Sequence, residues 1–481
     1  METTTCSGPL SERDTHLSMF GGIHFSPDAP DADNITRMDL QTLPIISDMH
    51  RYGIRLDVPF LQSLSRQIAN IKEMCEVEVS AAIGNYQYRT SKNVYEPFKI
   101  GSRDHLSQLF FQHLKIQGDD PVPMTEKGKR FEVSEEVLKP FTKRHQAVAP
   151  VIEWHSAEKL RNTYTDPLQL LVDSDHRLHT SFNVTIAATG RLSSSNPNLQ
   201  NIPVRTELGK QIRNAFIASP GCQLFSSDLS QIEMLWAAHR SQDPVMMDVF
   251  LNKQDIHTRT ACIVFGLDYE ETMTLKNLVE FKRANSDQVA RYSFFKQFQR
   301  LPCKTVGFGV LYGQTSEGLQ ASLASEGLFW TEAQCQQFID KDFFAAYPRL
   351  KDMLERDYSR ALRYAMIWCD FGRVRLVPEA KSQFKRIRNE GTRKAGNHPE
   401  QSGAQGTCKV AMAELCGVYR DYNKYFRCVP LLQIHDQIIG EADKSIVREV
   451  ADITAEIMRN ATPLSIPIQA EPDVGERWGD L

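Results

Sequence analysis

Several signals that would narrow the class of this chain at once are missing. Its 481 residues hold no apolar run long enough to cross a bilayer, which takes roughly 20 consecutive apolar residues. The opening METTTCSGPLSERD is polar and does not make a secretory signal. Ten cysteines are scattered from Cys6 to Cys428 without a single Cys-x-x-Cys pair. That pattern argues against structural zinc and a disulfide framework and favours a reducing, intracellular setting. No excess of one charge stands out either: 56 Lys and Arg face 60 Asp and Glu, for a net −4. No global field advertises a nucleic-acid partner, yet a large enzyme can gather its basic residues in one channel.

What is present is length enough for about three domains and a sizeable core. Residues 1–42 are weakly patterned and rich in Asp, Pro, Gly and Thr, an arm or remnant. Helical periodicity begins at Leu43, Ile46, Met49 and Ile54 and predicts a long helix from Val58 to about Ile83. Loop and short helix mix over 84–135, where Lys127, Lys129 and Arg130 are basic. A second long amphipathic helix is expected from Glu135 to Leu171, carrying Lys143, Arg144, Lys159 and Arg161. Two such helices fit a lever gripping a phosphate backbone; a helical bundle with solvated charges fits them equally well.

Alternation over Leu178–Ile186 predicts a strand. The polar loop Thr189–Pro203 follows; it reads as an ordinary surface connection, yet with its flank it offers Arg191, Asn198, Gln200, Asn201 and Arg205 to phosphates, sugars or base edges. Next comes Leu224-Phe-Ser-Ser-Asp228-Leu-Ser-Gln-Ile-Glu233, a strand from Cys222 to Ser227 delivering a carboxylate into a helix from Ser230 to about His239. A strand-end carboxylate suits a hard cation, but Ser230-x-x-Glu233 also reads as a capping box that only starts a helix.

Further along, Pro302 suits a helix beginning near Leu301. Lys304, Phe308 and Tyr312 then share one face with Arg300 at its edge, a stripe that fits a nucleotide lengthwise with phosphate at the helix start. The aromatics could equally be core, but Gly307 and Gly309 call for a reason, since each costs roughly 1 kcal/mol against alanine in a helix. Leu431–Ile439 reads as a hairpin with His435 and Asp436 at its tip, where an aspartate is also a common turn residue. The basic segment Lys381–Lys394 is either a solvated face or a track for template phosphates.

Taken together, TGRLSSSNPNLQNIP, Asp228-Leu-Ser-Gln-Ile-Glu233, Asp255-Ile-His257, Arg300-x₃-Lys304-x₃-Phe308-Gly-x₂-Tyr312-Gly313, Gly372-Arg373, Arg393-x₃-Asn397-x₃-Gln401 and Gln433-Ile-His435-Asp436 stand in the order of the family A, polymerase-I-type DNA polymerases, which residues 43–481 closely resemble. The resemblance implies an α+β right-hand polymerase fold with an antiparallel palm sheet, helical fingers and a helical thumb. It places the thumb at 43–165, the palm at 166–240 and 402–481, and the fingers at 241–401. It implies template-directed addition of dNTPs to the 3′ end of primer–template DNA with two Mg²⁺ ions, Mn²⁺ being a substitute. Asp228, Asp436 and the Leu229 carbonyl would bind metal. Gln231, Glu233, His257, Arg300, Lys304, Phe308 and Tyr312 would bind the nucleotide, Lys304 protonating the leaving pyrophosphate and Glu233 filling the space of a 2′-hydroxyl. Arg191, Asn198, Gln200, Asn201, Arg205, Arg393, Asn397, Gln401 and His435 would contact DNA. A separate exonuclease or processivity factor is a further expected partner, since 42 leading residues are too short for an exonuclease domain; no membrane contact is expected. An RNA polymerase with the same hand, or an inactive nucleic-acid-binding relative, are the alternatives. The chain departs from the family's pattern at Gln437, where Glu is usual, at Gly307, where Asn is usual, in its tail Gly475-Glu-Arg-Trp478, and in about 25 residues inserted between Phe265 and Gln299.

Overall fold

The computed structural model describes residues 23–120, 122–125, 130–203 and 206–481. Two compact units divide the chain, one of residues up to Ile54 with His179–Asn201 and Ala218–Leu481, the other of Arg55–Leu178 with Ile202–Ile217.

The first unit is built on a four-stranded antiparallel sheet. In chain order its elements include α1 (Ala32–Tyr52), β1 (Cys222–Leu229), α2 (Ile232–Ser241), α3 (Tyr269–Glu280), α4 (Ser286–Phe294), α5 (Leu301–Leu311), α6 (Lys385–Tyr422), β2 (Cys428–Ile434), β3 (Gln437–Asp443), α7 (Val447–Asn460) and β4 (Ala470–Gly475). The strands run β2-β3-β1-β4 across the sheet. β1 is buried from Leu224 to Ser227 because it lies centrally and under α7, and Asp228 is its first solvent-open side chain.

α6 is the long strut of this unit and packs on α1, α2, α7 and β2. It can do so because glycines replace side chains where aromatics press in. A Cβ on Gly403 would lie 2.6 Å from the Trp236 ring, and one on Gly406 2.4 Å from Phe371. The unit's core gathers Trp236, Phe225, Tyr347, Phe371 and Tyr419 with Ile23 and Met38, so the segment read as an arm contributes core side chains from Ile23 onward. Asp39 on α1 accepts from Arg373 at 2.8 and 2.9 Å and from the fully buried Lys409 at 2.6 Å. Arg240 at the end of α2 meets Asp357 at 3.0 Å, Asp370 at 3.3 Å and Glu400 in one buried ion cluster. A buried guanidinium needs such partners to offset its lost hydration.

In the second unit the helix Val58–Ile83 has the expected bounds. Asp57 caps its start, Pro59 occupies the first turn, and Gly84 ends it at φ 58°. The expected helix from Glu135 to Leu171 is instead broken into Glu135–Leu138, a 3₁₀ turn Lys139–Phe141, Val148–Leu160, a π turn Arg161–Thr165 and Asp166–Leu168. Pro140 and Pro167 fall at the starts of the short segments Lys139–Phe141 and Asp166–Leu168, and Pro150 in the first turn of Val148–Leu160, positions where a missing backbone donor costs least. Arg144 and Arg161 there pair with Asp120 and Asp166, at 2.5 and 2.9 Å. The strand expected over Leu178–Ile186 is likewise two short pieces, Arg177–Leu178 and Ser181–Asn183.

Candidate functional site

The register of the sheet assembles the site. Gln437 pairs with Asp228 across β3 and β1, and the Leu229 amide donates to the Asp436 carbonyl at 3.1 Å. Asp436 thus sits beside the end of β1, on the two-residue turn between β2 and β3 that the sequence predicts. Pairing along all seven residues of β3 holds this arrangement, because a slip of one residue would send each side chain to the opposite face. The chain is strained at both carboxylate corners: Gln231, after Asp228, has φ 53°, and His435, before Asp436, has φ 56°. Left-handed backbone at a residue other than glycine is uncommon and clusters at functional sites.

Arg191, Asp228, Leu229, Gln231, Glu233, Tyr312, His435 and Asp436 all line one open cleft of about 410 Å³. Glu233 does not close a capping box, because Gln231 is the N-cap of α2 and no side chain caps that helix. Its carboxylate instead accepts from the Arg191 guanidinium and from the Tyr312 hydroxyl. Burial raises the Glu233 pKa, against the pull of Arg191. Asp436 is pushed up to about 7, first by burial and then by Glu233 and Asp228, with Arg191 opposing. Asp228 is raised by loss of water on its inner side and by Asp473, although its outer side is solvent-open. Acids crowded in this way favour a cation between them.

The oxygen donors of Asp228 and Asp436 are of the kind that suits a hard divalent cation. Among the described residues no group of three or more His, Cys, Asp or Glu side chains stands together as a metal site.

A second group of expected residues lies on α5 and its neighbours. Arg300 donates to both oxygens of Asp255 at 3.1 and 3.0 Å and to Thr258 at 3.0 Å. Lys304 is exposed. Burial holds His257 neutral down to about pH 4, with Arg300 and Lys304 adding to the shift and Asp255 opposing it. An α-helical segment begins at Leu301 as expected, but its start is not free: helical backbone runs from α4 through a π turn, Phe295–Arg300, into α5, with the Leu301 amide bonded to the Lys296 carbonyl. The widened turn accommodates Pro302, so no free helix N-terminus faces a phosphate there. Gly309 makes room for Gln314, whose Oε1 would lie 1.6 Å from a Cβ, whereas a Cβ on Gly307 would meet only His257 and Phe343, both at 3.9 Å. The side chain of Phe308, like Arg205, Lys127 and Lys129, lies outside the described residues.

Of the other expected DNA contacts, Gln200 donates to the carbonyl and side-chain oxygens of Gln433 at 3.0 and 3.1 Å, tying its loop to the β2–β3 hairpin. Asn198 and Asn201 are exposed. The exposed Arg393 packs on Gly313, where a Cβ would lie 2.3 Å from its Cγ. Asn397 and Gln401 are half-buried on α6 and do not line the cleft, and Asn397 Oδ1 has no hydrogen-bond partner among the described residues. Gln437 donates to Ser226 Oγ at 3.0 Å. Sequence reasoning passed over Glu471, which pairs with Asp228 across β4, and Asp473; their alternation with Pro472 and Val474 on an edge strand was the available signal.

Comparison with known proteins places this geometry. Residues 69–480 match the model of DNA polymerase family A. The chain is 36% identical to the thermostable DNA polymerase I of Thermus filiformis, over 90% of this chain and 47% of that protein. It is 33% identical to DNA polymerase I of Deinococcus radiodurans, over 91% of this chain and 41% of that protein. The chain therefore spans about half the length of the curated relatives it matches. Among solved structures, the POL domain of Pol1 from M. smegmatis, in complex with DNA primer-template and dNTP, superposes with a TM-score of 0.77 at 27% identity, covering 93% of this chain and 72% of that one.

Proposed function

The chain belongs to the family A DNA polymerases, and from that premise we propose that it adds deoxynucleotides, directed by a template, to the 3′ end of a primer and releases pyrophosphate. The observation that carries this reading is the convergence of Asp228 and Asp436, 208 residues apart in the chain, on one cleft floored by β1 and β3 and walled by Glu233, Arg191 and Tyr312.

Asp228 and Asp436, with the Leu229 carbonyl, would hold two Mg²⁺ ions. When bound, these would lower the pKa of the primer hydroxyl and stabilise charge on the leaving pyrophosphate. Arg300, Lys304 and His257 bind the triphosphate, and Arg300 exchanges some of its contact with Asp255 for phosphate oxygens. Lys304 passes a proton to the pyrophosphate. Glu233, tethered by Arg191 and Tyr312, occupies the room a 2′-hydroxyl would need, Phe308 presses on the same sugar, and Gln231 flanks the nucleotide. Tyr312 flanks the templating base. Arg191 and Gln401 read the minor groove of the new pair, where acceptors lie alike in every correct pair. Asn397 and His435 contact the primer–template junction, and Asn198, Gln200, Asn201, Arg205 and Arg393 hold the strands.

In this reading residues 43–165 serve as thumb, 241–401 as fingers, and 166–240 with 402–481 as palm. No helix among the described residues is long and apolar enough to cross a membrane. The test is extension of a labelled primer with dNTPs and with NTPs, wild type beside Asp228→Ala. The proposal requires extension with dNTPs that Asp228→Ala abolishes; dNTP extension by Asp228→Ala, or none by wild type, refutes it.

A further inference from the structure

Between Phe265 and Gln299 the chain forms a helical hairpin, α3 and α4, whose outer surface does not resemble an ordinary solvated face. Phe281, Phe294 and Phe298 are 69%, 57% and 43% exposed. The rings of Phe294 and Phe298, one helical turn apart, lie 5.0 Å from centroid to centroid. Single exposed apolar residues need no explanation, but here the aromatics alternate with one sign of charge. From Phe281 to Arg300 the chain carries Lys282, Arg283, Arg291, Lys296 and Arg300 against the single acid Asp287. Arg291 is partly answered by Glu271 at 3.4 Å and Arg300 by Asp255. Lys282, Arg283 and Lys296 are exposed, and among the described residues no carboxylate pairs with them. The Arg283 guanidinium lies 5.9 Å from the centroid of the Phe281 ring. Beside Phe294 a groove of about 510 Å³ opens between the two helices, lined by Leu267, Leu275 and Phe295 together with Arg291 and the α3-side acids Asp268 and Glu271, so the cationic stripe is confined to the side that begins at Lys282.

We propose that this hairpin is a platform for single-stranded nucleic acid, on which bases stack against Phe281, Phe294 and Phe298 while Lys282, Arg283 and Lys296 neutralise the phosphates between them. Stacking surfaces interleaved with cations are what an unpaired strand requires. A protein-docking core would instead be depleted of lysine. The hairpin also sits in a useful place. α4 continues through the π turn into α5, so Phe298 precedes Lys304 by six residues, about 9 Å along a helix axis. The bound strand is therefore the unpaired 5′ part of the template; only this naming of the strand rests on the polymerase reading.

The test is fluorescence anisotropy with an oligothymidylate of about 20 nucleotides and with primer–templates bearing a short or a long 5′ overhang, long meaning about 12 nucleotides. Three proteins are compared: wild type, Phe294→Ala/Phe298→Ala, and Lys282→Ala/Arg283→Ala/Lys296→Ala. Wild type should gain affinity from the long overhang. The double variant should lose that gain and bind the oligothymidylate roughly tenfold more weakly. The triple variant should show a flatter dependence of log affinity on log salt. Binding to the short-overhang duplex and the thermal midpoint should stay as in wild type, since all the substituted side chains are exposed. An overhang gain and oligothymidylate affinity in the double variant within twofold of wild type overturn the proposal. So does self-association in light scattering that the same substitutions abolish without changing DNA binding, because the face is then an interface between copies of the chain. Binding needs no catalysis: an inactive wild type with an intact overhang gain refutes only the polymerase reading, and an active one with unaltered variants refutes only the platform.

Discussion

Glu233→Ala removes a carboxylate that is only 9% exposed and that two side chains hold in place, the Arg191 guanidinium and the Tyr312 hydroxyl. Folding should change little, by about 1–2 kcal/mol or less, because Arg191 is about one-third exposed and can rehydrate, and because Glu233 no longer bears its own desolvation. Selectivity should change far more. On the proposed reading a ribonucleotide has to displace the carboxylate from both bonds, and hydrogen bonds to charged groups are worth about 1.5–3 kcal/mol each. Removing the obstacle should lower the dNTP/NTP ratio of kcat/KM by roughly a hundredfold. Tyr312→Phe breaks one of the two bonds and should lower the ratio by roughly tenfold. Any contact of Tyr312 with the template base affects both substrates alike and cancels in the ratio. The double variant should match Glu233→Ala, since Tyr312 acts on the sugar through Glu233 and the effects cannot add. Single-nucleotide insertion kinetics on four proteins give the cycle. An unchanged ratio in Glu233→Ala, or additive effects in the double variant, would refute the tethered-carboxylate argument.

Asp228→Asn and Asp436→Asn should each abolish nucleotide addition while leaving primer–template affinity within a few-fold of wild type; substantial extension by either folded variant contradicts the metal assignment. Gly307→Ala should stabilise the fold by about 0.5–1 kcal/mol, because the helix gains a residue of higher propensity and the new Cβ meets nothing nearer than 3.9 Å. Gly403→Ala should destabilise it by about 1–3 kcal/mol, because its Cβ would overlap the Trp236 ring at 2.6 Å; urea titrations of both variants check the opposite signs. Burial lowers the His398 pKa to about 4, and its ring nitrogen Nε2 lies 2.9 Å from the Arg373 carbonyl. The unfolded chain, with a His pKa near 6.5, takes up that proton first, so stability present above about pH 6.5 is lost as pH falls toward 4. His398→Gln should flatten that part of the stability–pH curve, and an unchanged slope rules out His398 as its source.

Where the structure follows the sequence, the controlling interactions are local. Val58–Ile83 could be bounded from its residues because Asp57, Pro59 and Gly84 act within one turn of its ends. The His435–Asp436 turn was legible because two apolar strand halves flank it directly. Periodicity alone was misleading over Glu135–Leu171, which is broken into short segments with Pro140 and Pro167 at segment starts, and Pro302 marked the start of an α-helical segment at Leu301 without showing the π turn that joins it to α4. The order of motifs was enough to assign the family, and the α+β class with its antiparallel sheet followed from it.

The state of Glu233 could not be read in that way. Ser230-x-x-Glu233 satisfies a capping pattern, and only the arrival of Arg191 from 42 residues before and Tyr312 from 79 residues after turns the carboxylate into the cleft. The same holds for Glu471 beside Asp228, for Gln314 against Gly309, and for Asp39 between Arg373 and Lys409. Caps, turns and prolines act over three or four residues, so the chain alone determined its elements and its family. Which charges meet depends on strand register and on which glycines let helices close, and those are settled only when distant segments pack.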